Sequence, residues 1–154
     1  MVMKLLHVMA LGCLLTCLSV AAAMSADDQD IRCLALNLYF EARSEGDAGM
    51  VAVGWVVLNR VADATYPNTV CEVIHQGGEQ PPCQWDWWCD GRSDRPTEPQ
   101  AWAQAQQIAQ RLLSEPPPDP THGALWFHNA SVARPDWLKV KQQSAHIGDH
   151  LFYK

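Results

Sequence analysis

The residue best placed for proton chemistry is Glu41, in the run Tyr39-Phe40-Glu41-Ala42-Arg43. It falls three residues after Leu38 and seven after Leu34, so on a helix it borders an apolar stripe near the C-terminal end. A carboxyl in that position is partly desolvated, which raises its pKa and suits a general acid. Position alone also suits an ordinary helix-end Glu beside Arg43. Glu45 follows one turn later. Two carboxyls on one helix face cannot flank a sugar bond from opposite sides, as paired glycosidase carboxylates do, so Glu45 reads as a solvated or supporting residue.

A second constellation is Cys83-Gln84-Trp85-Asp86-Trp87-Trp88-Cys89, three indoles between two cysteines. Exposed aromatic faces beside amide and carboxylate groups suit stacking on sugar rings, and the same indoles could equally fill a gap in the core. His122, His128, His146 and His150 raise a metal reading. His146 and His150 have helical i, i+4 spacing, but Gly148-Asp149 between them makes a turn, and the spacing loses its geometric meaning. The cysteines form no C-x-x-C pair, so zinc is not expected either. No metal or cofactor is expected. A Cys-His nucleophile is disfavoured, because an exported thiol tends to be oxidised.

The elements that position these residues are mainly helical. Asp27, Asp28 and Asp30 precede an apolar pattern at Ile31, Leu34, Ala35, Leu38 and Ala42, which predicts a first helix with acidic caps running to about Arg43. Ala48 to Ala62 is apolar on nearly every side and predicts a helix in the middle of the core. Thr69 with Glu72 is a capping box for a short helix ending at Gly77-Gly78. From Gln80 to Pro96 no period survives, and so long a loop in a compact domain is often functional. Glu98 to Leu113 is helical again, with Trp102, Ala105, Ile108, Ala109 and Leu112 on one stripe, and the prolines from Pro116 to Pro120 end it. Short β pieces follow at Ala124 to His128, Ser144 to Ile147 and His150 to Tyr153, the last two paired across Gly148-Asp149.

With 154 residues the chain has the length of one domain, and its 48% apolar against 18% charged residues describe a packed globular protein. The net charge of −6 comes with basic residues scattered along the chain, which leaves nothing to hold a phosphate backbone. Nucleic acid is therefore not an expected partner. Residues 1–23 read as a signal peptide: Lys4, an apolar run, then Ala21-Ala22-Ala23 for cleavage. An uncleaved anchor is the alternative, and Thr16 before Cys17 fits a lipoprotein signal poorly. Once the leader is cut no membrane span is expected. Cys33, Cys71, Cys83 and Cys89 remain, an even number that points to two disulfides in an exported protein.

Several segments, in order, resemble the SleB-type cell wall hydrolases, the family of the spore-cortex-lytic enzymes. They are Cys33 to Arg43, Val51 to Val61, Tyr66 to Ile74, Cys83-Gln84-Trp85, Cys89-Asp90-Gly91 and Ile147 to Tyr153. The resemblance implies an α+β, mainly helical, lysozyme-like domain over residues 24–154 with a small β element, acting on the glycan strands of peptidoglycan. It places the family's acid on Glu41. Where the family commonly reads Cys-Gln-Phe-Ser, this chain has Cys83-Gln84-Trp85-Asp86. Where the family commonly reads Gly-Ala-Thr-His-Tyr-His, the chain has Gly123-Ala124-Leu125-Trp126-Phe127-His128.

The expectation is an exported peptidoglycan glycosidase, periplasmic or cell-wall associated. Glu41 is its catalytic residue, and Tyr39, Gln84, Trp85, Asp86, Trp126 and His128 contact the substrate. No second carboxylate is obvious across the bond, which favours a lytic transglycosylase; a muramidase-type hydrolase and a non-catalytic peptidoglycan-binding module are the alternatives. Local loop closure pairs Cys83 with Cys89, leaving Cys33 for Cys71.

Overall fold

The computed structural model describes residues 26–154. The signal peptide expected over residues 1–23, with its anchor and lipoprotein alternatives, lies outside the described residues. Among the described residues no helix is long and apolar enough to cross a membrane.

Helix α1 (Ala26–Ala42) turns Leu34, Ala35, Leu38 and Ala42 fully inward. It begins earlier than the acidic caps suggested. Asp27 and Asp28 lie inside its first turn, where their charge faces the positive end of the helix dipole, and Asp30 accepts the backbone N–H of Cys71 at 3.2 Å. Helix α2 (Gly46–Ala62) is the central helix that its continuous apolar sequence predicts, with Met50, Ala52, Val53, Val56 and Val57 at zero exposure. Helix α3 (Val70–Ile74) starts at Thr69, whose hydroxyl accepts the N–H of Glu72, as the capping box requires, and ends short of the two glycines.

The aperiodic stretch after Gln80 contains one helical turn, α4 (Asp86–Cys89), which sequence periodicity was too short to reveal. Helix α5 (Pro99–Ser114) lies along α1 and α2, burying Ala105, Ile108, Ala109 and Leu112. Gly54 permits that approach: a Cβ there would collide with the Leu112 side chain.

Three short strands complete the domain: β1 (Trp126–Asn129), β2 (Gln143–Ile147) and β3 (His150–Tyr153), in the order β1-β3-β2, all antiparallel. The expected β2–β3 hairpin forms, and β1 adds to the far edge of β3. Its first strand starts at Trp126 and not at Ala124, because the Ala124 carbonyl is taken by the side-chain amide of Asn59 at 3.1 Å. The hairpin turn needs glycine at 148, where φ is +56° and a Cβ would strike the carboxylate of Glu45. Glu45 was expected one turn on along the first helix, but that helix ends at Ala42 and Glu45 stands at the N-cap of α2; from there its Oε2 accepts the N–H of Asp149 at 2.7 Å and ties the hairpin to the α1–α2 corner.

Both disulfides are present. Cys33–Cys71 joins α1 to α3, and Cys83–Cys89 closes the loop around α4.

Candidate active site

Glu41 occupies the last turn of α1, where the buried stripe brings it beneath α4 and the sheet. It opens on a cleft of about 350 Å³ lined by Gln84, Trp85 and Asp86 from the loop and by Trp126 to Asn129 of β1, with Arg60 and His150 also facing in. A second hollow of about 400 Å³, lined by Phe40, Trp87, Asp90 and Arg92, shares Glu41 and Asp86 with it. The carboxyl therefore stands at the junction of two arms of a groove. A larger and more open concavity of about 660 Å³, between Val61 and Glu72, lies away from this carboxyl.

Burial pushes the Glu41 carboxyl up to about 7, the nearby Asp86 charge adds to the rise, and Arg60 opposes it. A group with that pKa can hold a proton and release it near neutrality. The ordinary helix-end alternative required Arg43 as its neighbour. Arg43 instead turns to Glu98, with Nε 2.8 Å from Oε1, and lies over the Tyr39 ring.

The remaining expected residues separate. Gln84, Trp85, Asp86, Trp126 and His128 line the same cleft as Glu41. Tyr39 does not: it is buried, and its hydroxyl accepts the N–H groups of Thr97 and Glu98, both at 3.1 Å, so that it fixes the start of α5. Trp85 contributes only an edge. It is 3% exposed, donates its indole N–H to the Val73 carbonyl at 3.4 Å and forms the floor. Trp87 is buried as well, stacked on Phe40 at 5.0 Å, so two of the three loop indoles fill core space. Trp126 stands in the wall with the Lys141 ammonium 3.6 Å from its ring centre. Burial, with Arg134 nearby, holds His128 below its usual pKa.

Trp137, His150 and Arg60 line the cleft without having been expected as substrate contacts, His150 having been weighed only as a metal ligand. Trp137, in the short 3-10 turn Asp136–Leu138, is 55% exposed at the mouth of the cleft. His150 is buried on β3, its pKa held low by burial although Glu45 and Asp149 pull the other way. Arg60 is 3% exposed, donates Nε–H to the Leu125 carbonyl at 2.8 Å and lies between the rings of Trp85 (5.0 Å) and Tyr66 (5.3 Å). A signal for it existed: Arg60 is the single basic side chain in the largely apolar α2. Among the described residues no group of three His, Cys, Asp or Glu side chains is arranged to hold a metal ion, and His146 points away on the exposed face of β2.

Residues 44–153 match the model of the cell wall hydrolase family, and the chain belongs to that family. The match begins just past Glu41. The chain is 33% identical over 127 residues to a spore cortex-lytic enzyme of Bacillus cereus, covering 81% of this chain and 44% of that protein. With a spore cortex-lytic enzyme of Bacillus subtilis it shares 32% identity over 138 residues, covering 87% and 41%. It thus spans less than half the length of these curated relatives. Among solved structures, the catalytic domain of the Bacillus cereus SleB protein superposes with a TM-score of 0.62 at 32% identity, over 88% of this chain and 95% of that one. The catalytic domain of the germination-specific lytic transglycosylase SleB from Bacillus anthracis gives 0.66 at 33% identity, over 88% and 100%. The mainly helical α+β fold with a small sheet is the one that the resemblance implied.

Proposed function

We propose that the protein cleaves the glycan strands of peptidoglycan as a lytic transglycosylase, with Glu41 as its general acid and base. The observation that supports this most is a carboxyl with a pKa of about 7 at the meeting point of two groove arms, where a polymer can pass on both sides of the reacting bond. Protonated Glu41 gives its proton to the glycosidic oxygen, and the bond from that oxygen to the muramyl anomeric carbon breaks. The Glu41 carboxylate then takes the proton of the muramyl 6-hydroxyl, whose oxygen closes on the anomeric carbon. The acid is regenerated, no water is consumed, and the intramolecular nucleophile supplies the advantage of proximity. Trp126, Trp137 and His128 are the residues to contact the sugars. The expected leader and the two disulfides fit an exported protein that meets peptidoglycan outside the cytoplasm.

Asp86 favours a second reading. It lines the cleft with Glu41 and its charge is felt there, so it is the candidate for a second carboxylate in a muramidase-type hydrolase. Digestion of purified sacculi followed by mass spectrometry separates the readings. A transglycosylase yields 1,6-anhydro-muropeptides, each one water lighter than the hydrolysed form, and Asp86→Asn retains activity. Products with only borohydride-reducible ends, together with a dead Asp86→Asn variant, establish the hydrolase. Absence of soluble products would leave a binding module.

A further inference from the structure

Arg60 poses a physical problem that packing does not solve. A guanidinium taken out of water is costly unless a carboxylate pairs with it. Among the described residues the ion pairs are Arg43 with Glu98 and Lys139 with Asp136, and Arg60 is in neither. Its Nη1 is buried without a hydrogen-bond partner. Two rings and one carbonyl hold it in place, so the charge is fixed without an ion pair. It faces the cleft into which Glu41 also opens.

We propose that Arg60 is a positioning charge for Glu41, holding the carboxylate that forms after Glu41 has given up its proton until the proton returns from the substrate hydroxyl. The proposal deepens the reading of Glu41 as acid and base and rests on it. The reaction as written leaves a bare carboxylate in a poorly hydrated pocket between its two proton transfers. A buried permanent cation in the same pocket, too far for an ion pair that would lock Glu41 in the ionised state, lowers the free energy of that intermediate without abolishing the acid.

The other groups around Glu41 do not replace it. Asp86 of α4 has the wrong sign and acts against the carboxylate. His128 of β1 and His150 of β3 are both biased toward the neutral form by burial. Arg43 is engaged with Glu98, and Arg92 lines the second hollow together with Asp90 and Asp94. Arg60 is the cation that acts on Glu41, and Glu41 acts on Arg60 in return.

The test is a direct titration of the Glu41 carboxyl by carbon NMR in protein labelled at its glutamate side chains, the resonance being assigned by its loss in Glu41→Gln. In Arg60→Met the midpoint should move up by about one unit, because removing a nearby cation disfavours the carboxylate. Arg60→Gln, which keeps a donor for the Leu125 carbonyl, should behave alike and covers the case in which the Met variant does not fold. Arg60→Lys, retaining the charge, should stay near wild type. The alkaline limb of the pH–rate profile for sacculus digestion should follow the midpoint, with turnover on the plateau lowered by about tenfold. A merely structural Arg60 would lower the melting temperature and leave the midpoint where it was; that result overturns the proposal. If wild-type protein releases nothing from sacculi, the glycosidase reading fails, while the NMR midpoints still decide whether Arg60 acts on Glu41.

Discussion

Asn37 and Trp87, 50 residues apart, are joined in the core: the indole N–H of Trp87 donates to Oδ1 of Asn37 at 3.0 Å, and both side chains are buried. The bond fastens α4 to α1 one turn before Glu41. Asp86 and the loop wall are thereby held over the carboxyl.

Asn37→Ala should therefore cost about 1–3 kcal/mol, since it leaves the Trp87 N–H buried without an acceptor. Chemical denaturation measures the loss. Because α4 carries one wall of the cleft, digestion of sacculi should also fall at temperatures where the variant remains folded. Unchanged stability would mean that the indole finds another acceptor.

Glu41→Gln should fold and lower turnover by about 100-fold or more. Its stability should carry a pH signature. Burial raises the Glu41 pKa from 4.5 to about 7, so between those values the folded protein keeps a proton that the unfolded chain releases. Wild-type stability accordingly falls as pH rises through that window, and Gln, which does not titrate, escapes the penalty. Above pH 7 the variant should be the more stable by on the order of 3 kcal/mol, with the difference fading toward pH 4.5. Denaturation curves at both ends of the window check the sign.

Trp137 and Trp85 should behave in opposite ways. Trp137→Ala removes an exposed indole at the mouth of the cleft and should weaken binding to glycan with little change in melting temperature. Trp85→Ala empties the floor and should cost about 3–5 kcal/mol. Pull-down on sacculi beside thermal denaturation compares them. Equal stability losses would return Trp137 to the structural residues.

The two disulfides should differ as well. Cys33–Cys71 closes a loop of 38 residues and its removal by serine replacement should cost about 3–4 kcal/mol, against about 2 for Cys83–Cys89 with a separation of 6. The shorter bridge carries α4 between its ends, so its loss should reduce activity out of proportion to stability. Peptide mapping without reduction verifies the pairing.

What the sequence determined by itself are the features set by local pattern. The 3.6-residue periodicity of α1 and α5, the continuous apolar run of α2, the Thr69 cap and the Gly148-Asp149 turn each depend on neighbours along the chain, and each stands in the structure. Glu41 at the edge of a buried stripe is of the same kind, and the matching segments around it strengthened that reading. Tertiary structure decided what depends on the partner across space. Whether an indole is floor or mouth, as with Trp85 and Trp137, follows from where the Cys83–Cys89 loop and the 130–141 segment meet the cleft. Tyr39 sits beside Glu41 in sequence yet spends its hydroxyl on the start of α5, more than 50 residues away. Arg60 looks like an end-of-helix cation until Trp85, Tyr66 and Leu125 close around it. Burial and electrostatic coupling are properties of the assembled neighbourhood, and no spacing along one strand of sequence contains them.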